Sequence, residues 1–118
     1  MEGRVCKLLE DMRRSAAEIQ HDVAGLDERH YGAVRLIQKS VEREFEIIGE
    51  AMRRLRSESP EWARRLNHCD EIVAFRNVLA HGYDAVDNSR VWNIIVTHLP
   101  LLLTEVEALL PEAEAQSA

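Results

Sequence analysis

V-R-L-I-Q-K-S-V-E-R-E-F-E-I-I-G-E-A-M-R-R-L, Val34 to Leu55, is the stretch from which the rest of the chain can be read. Its apolar residues Val34, Ile37, Val41, Phe45, Ile48, Met52 and Leu55 recur at steps of three and four, which puts them on one face of a helix. Charged and polar side chains fill most of the positions between them, so one face seeks a core and the opposite face seeks water. The spacing predicts the longest helix of the protein, starting after a loop at Asp27 to Gly32 and running to about Arg56.

The same period governs the preceding segment, where Val5, Leu8, Leu9, Met12, Ala16, Ile19 and Val23 line a first helix that Gly25 closes. Downstream, Ser59-Pro60-Glu61-Trp62 reads as an N-cap, a proline at the first helical position and a short extra helix ended by Asn67. A third long helix begins near Asp70, carries Ile72, Val73, Phe75, Val78 and Leu79, and stops at Gly82. Asp87, Asn88 and Ser89 are capping residues for a fourth, whose apolar residues from Val91 to Leu110 cover more than one face. Pro100 should bend that helix or start a new turn, because its nitrogen cannot donate a backbone hydrogen bond. The surplus apolar face predicts a symmetric homodimer. The expected architecture is all-α, an antiparallel up-and-down four-helix bundle with one short extra helix. One domain should span residues 1–118, its polar, alanine-rich tail fraying from Glu112.

Composition narrows the function. A charged fraction of 31% with only five glycines and three prolines suits a folded helical protein. The net charge of −6 argues against a general nucleic-acid coat, whose affinity rests on many phosphate contacts, but not against nucleic acid as a substrate. Asn93, His98, Pro100 and Glu105 break the richest apolar stretch well short of the ~18–20 residues that cross a bilayer, so no membrane partner is expected. Cys6 and Cys69 match neither metal-ligand nor redox spacing, and the N-terminus lacks the basic-then-apolar build of a signal peptide. Reduced thiols in a cytoplasm are the expectation.

The chemistry gathers at R-N-V-L-A-H-G-Y, Arg76 to Tyr83, where a helix should end. An Arg followed five residues later by His means little alone: with 13 Arg and five His in 118 residues, chance gives about half an occurrence. Requiring Asn after the Arg and Tyr two after the His lowers the random expectation to roughly three in ten thousand. Asn77 and His81 lie one above the other at i,i+4, whereas Arg76 and His81 are ~140° apart on an ideal helix. A helix C-terminus favours a cation, and imidazole exchanges protons near neutrality.

This segment resembles the R-x4-H-x-Y motif of HepT-like toxins of the HEPN superfamily. R-E-F-E-I-I-G-E-A at Arg43 to Ala51 is similar to that family's second-helix segment, which commonly begins Arg-Asn where this chain has Arg43-Glu44. V-W-N-I-I-V-T-H-L-P at Val91 to Pro100 resembles its last helix. The resemblance implies an all-α dimer whose two motifs meet near the subunit interface and cleave RNA without a metal. It further implies a toxin paired with an MNT-type nucleotidyltransferase antitoxin, which silences it by adenylylating the motif tyrosine. The residues carried over are Arg76, Asn77 and His81 as catalytic and Tyr83 as the modified residue, with no cofactor.

Chemistry alone supports those roles. RNA carries its own nucleophile, the 2′-hydroxyl, so cleavage needs a base for that proton, an acid for the departing 5′-oxygen, and positive charge beside the phosphorus. Two His81 side chains in a two-fold dimer can supply base and acid, with Arg76 stabilising the charge. His68-Cys69-Asp70 is not expected to bind metal, because adjacent residues rarely converge on one ion. Glu46 and Glu50, one turn apart beside Arg43, Arg53 and Arg54, read as an ion-paired face. A different class of reading is a non-catalytic helical dimer that serves as the binding partner of a nucleotidyltransferase.

Overall fold

Each apolar stripe finds a partner in the computed structural model, which describes residues 2–81 and 86–117. The described residues form α1 (Glu2–Val23), α2 (Glu28–Ala33), α3 (Arg35–Glu58), α4 (Pro60–Ala63), α5 (Cys69–His81), α6 (Asn88–Thr97) and α7 (Leu99–Ser117). No strand occurs among them, so the fold is all-α.

The centre is α1, whose Leu9, Met12, Ala16 and Ile19 are fully buried between α3 and α7. Side chains fix the directions. Arg4 at the start of α1 pairs with Glu58 at the end of α3, while Ser40 near the start of α3 donates to Asp22 near the end of α1, so the two run antiparallel. Cys6 meets Ser117 at the far end of α7, which makes α7 antiparallel to α1 as well. On the other flank of α3, Arg56 pairs with Asp70 and Phe45 stacks edge-on with Phe75, which places α5 antiparallel to α3.

Within α3, Val41, Phe45, Ile48, Met52 and Leu55 are buried as their spacing requires. Val34 instead joins two helices and remains exposed. The Asp27 to Gly32 stretch, expected as a loop, instead forms most of α2: Asp27 accepts from the His30 amide at 2.8 Å and caps it. Six residues are too few to show a helical period, and only Tyr31 is buried. Gly25 ends the first helix region in the left-handed conformation, φ 80°, where a side chain would be strained. Pro60 takes the first position of α4, but the Ser59 side chain makes no cap bond; its carbonyl accepts from Trp62 and Ala63 instead.

The last apolar segment divides into α6 and α7 with a 43° bend, Pro100 falling in the first turn of α7 where a missing amide hydrogen is harmless. No single helix is long and apolar enough to cross a membrane. Asp87 caps α6 by accepting from the Ser89 and Arg90 amides. Helix α7 continues to Ser117, with Ala113 buried and Glu112 paired to Arg65. Most of the expected surplus of apolar surface is absorbed by the core through Val91, Ile95, Leu99, Leu102, Val106 and Leu109. Val96 and Leu101 stay exposed, Leu101 on the wall of a groove of about 380 Å³ between α5 and α6–α7 that Ile72, Phe75 and Ile94 also line.

Tyr31 is completely buried, its ring 5.6 Å from Trp92, and its hydroxyl has no hydrogen-bond partner among the described residues. A buried unpaired polar group costs about 1–3 kcal/mol. Tyr31→Phe should therefore raise the unfolding free energy by about 1 kcal/mol in a urea titration. A destabilised variant would show that the hydroxyl is satisfied.

Candidate active site

Arg76 comes from the face of α5 that packs on α3, and the sequence permits the approach at a single point. A β-carbon on Gly49 would stand 2.1 Å from Arg76 Cβ and 2.6 Å from its Cγ. Glycine in mid-helix is unfavourable by about 1 kcal/mol relative to alanine, so its place here is explained by the contact between helices. With α5 this close, the Arg76 guanidinium lies 3.5 Å from Glu50 Oε1, and its Nη1 donates to Asn77 Oδ1 at 3.1 Å.

Glu50 is the carboxylate around which the arginines collect. It accepts from Arg53 through Nε at 3.1 Å and Nη2 at 2.8 Å, and from Arg54 Nε at 3.0 Å. The Arg53 hydrogen bonds are the largest cause holding its pKa down at about 2; burial, the next largest, opposes them, and the Arg54 hydrogen bond and the charges of Arg53 and Arg76 add to the lowering. A lowered carboxylate pKa gives stability that is present above the unfolded value, 4.5, and is lost as pH falls through about 2. Glu50→Gln should flatten that part of the acid limb in thermal unfolding measured between pH 5 and 2; an unchanged limb would show that the cluster adds nothing to stability.

His81 is the last residue of α5 and is exposed. Ala74, Asn77, Val78 and His81 form one outward face at steps of three and four, all exposed to solvent. Arg76 sits on a different face, as the ~140° offset requires. Asn77 joins the two: its carbonyl oxygen accepts from Arg76, while it shares the outer face with the imidazole one turn on. The amide end of Asn77 remains a donor. The arrangement offers a cation, an amide donor and an open imidazole at one helix end, which suits proton transfer next to a phosphate. Gly82 and Tyr83, expected to end the helix and to be modified, lie outside the described residues.

His68, Cys69 and Asp70 diverge. His68 contacts Glu71 at 3.0 Å and the His98 ring at 5.6 Å, Cys69 packs against the core, and Asp70 pairs with Arg56. Gly49 and Glu50 adjoin the candidate site through Arg76, and the motif alone does not reach them. An isolated glycine inside a strongly helical run is the signal for the first; sequence spacing makes Glu50 part of an ion-paired face with Arg53 and Arg54, and only the packing of α5 adds Arg76.

Residues 12–109 match the family model described as Ribonuclease HepT-like. A protein of Methanocaldococcus jannaschii bearing the name "Putative RNase MJ1380" is 30% identical over 99 residues, covering 84% of this chain and 90% of the relative. No solved structure matches the chain at a significant level.

Proposed function

Given that the chain belongs to the HepT-like ribonuclease family, we propose that it is an endoribonuclease toxin that cleaves RNA without a metal and works as a homodimer of antiparallel four-helix bundles. The observation that carries this reading is the α5 tip, where Arg76 is locked against α3 and tied through Asn77 to the face that presents an exposed His81. One imidazole removes the 2′-hydroxyl proton, and the 2′-oxygen attacks phosphorus as the bond to the 5′-oxygen breaks. The second imidazole of the dimer protonates that departing oxygen. Arg76 stabilises the charge that gathers on the non-bridging oxygens.

The outward face of α5 supports the dimeric part of the reading, because Ala74 and Val78 set small apolar side chains beside Asn77 and His81. Facing copies would bring two imidazoles together. In the same proposal the protein is cytoplasmic, and an MNT-type nucleotidyltransferase silences it by attaching AMP to Tyr83, adding bulk and negative charge where the RNA phosphate binds. The test is cleavage of total RNA by the purified protein in EDTA, over a concentration series that spans its monomer–dimer equilibrium. Specific activity should fall as the dimer dissociates. Activity that is constant through dissociation would remove the shared site, and an inactive wild type that binds a nucleotidyltransferase tightly would favour the non-catalytic partner.

A further inference from the structure

The guanidinium of Arg76 does not open onto bare solvent alone. It forms part of the wall of a cleft of about 240 Å³ between α1 and α3. Arg4 and Lys7 face it from α1, and Arg43 and Arg54 from α3. The carboxylates on its walls are Asp11, Glu46 and Glu50. Cations therefore outnumber acids here in a chain whose overall charge is −6.

The order of these residues is set by helical period. Arg4, Lys7 and Asp11 follow one stripe of α1, while Arg43, Glu46, Glu50 and Arg54 follow one stripe of α3. From Arg43 to Arg54 the stripe is ~16 Å long at 1.5 Å per residue. Arg54 and Arg76 are engaged by Glu50 and Arg4 by Glu58, but Lys7 and Arg43 are held lightly. Lys7 pairs with Asp11 at 3.0 Å and Arg43 with Glu46 at 3.6 Å, with the Lys7 and Arg43 side chains 63% and 70% exposed. Ion pairs this exposed contribute little, about 0–1 kcal/mol, and a phosphate can take over their donors.

We propose that this α1–α3 cleft binds the backbone phosphates of the RNA strand flanking the bond cleaved at Arg76. The inference rests on the ribonuclease reading for its ligand, and it assigns to Lys7 and Arg43 a role in holding substrate that lies outside the motif. Backbone contacts of this kind position a strand without reading its sequence.

The test is equilibrium binding of a labelled single-stranded oligoribonucleotide by protein carrying His81→Ala, measured from low to moderate salt. Adding Lys7→Ala or Arg43→Ala should weaken binding several-fold at low salt and lower the slope of log affinity against log salt by ~0.7 for each phosphate contact removed. Asp11→Asn should act in the opposite direction and tighten binding. Arg35→Ala, a substitution outside the cleft, should leave the slope unchanged. The proposal is overturned if Lys7→Ala and Arg43→Ala keep the parental slope, or if Arg35→Ala lowers it equally. Failure of the ribonuclease reading has a separate signature: protein with native His81 binds RNA with the cleft-dependent slope yet leaves it intact.

Discussion

His81→Ala should lower RNA cleavage by about 10²–10⁴-fold, the usual contribution of a positioned general acid or base. Thermal stability should stay within the range of an ordinary surface substitution, because the imidazole is exposed. Arg76→Ala should cost about 10²–10³-fold, as when one group that stabilises transition-state charge is removed. Initial rates on a defined RNA, with circular dichroism to verify folding, separate these effects from instability. Folded His81→Ala with undiminished activity would take the imidazole out of the chemistry.

Gly49→Ala is the second large effect, and it should damage stability and activity together. The added methyl group meets Arg76 Cβ and Cγ at distances no packed side chain tolerates, so α3 and α5 must separate. Overpacking of this kind costs about 1–3 kcal/mol, and the separation carries Arg76 away from Glu50 and Asn77. The atom struck first is a β-carbon, which alanine at position 76 retains. Arg76→Ala should therefore fail to restore the stability of Gly49→Ala, whereas Arg76→Gly should restore part of it. Chemical denaturation of the three variants decides the matter; a Gly49→Ala protein as stable and active as the parent would show that the helices are not in contact there.

Local period carried most of the fold. The stripe from Val5 to Val23 is buried along its whole length, and that of α3 from Val41 to Leu55, because three- and four-residue steps leave an amphipathic helix no other way to exclude water. Helix α2 was illegible for the opposite reason, since six residues with one buried side chain contain too little pattern. Val78 counted as a core position in the sequence but is exposed, since it lies ~200° round α5 from Arg76, which packs against Gly49 of α3. The motif gave Arg76, Asn77 and His81 but not their support. Gly49 and Arg76 meet across two helices, and no sequence spacing encodes a contact between faces so far apart along the chain. Glu50 shows the same limit: its neighbours Arg53 and Arg54 explain it locally, and only the packing of α5 adds Arg76 to them.

The central claim is that imidazole groups drive attack by the 2′-hydroxyl with no metal taking part. End-group analysis of RNA cleaved by the purified protein in excess EDTA tests it most directly. The account predicts a 2′,3′-cyclic phosphate on the upstream fragment and a 5′-hydroxyl on the downstream one. Fragments ending in 3′-hydroxyl and 5′-phosphate, or cleavage that stops when divalent ions are chelated, would contradict it.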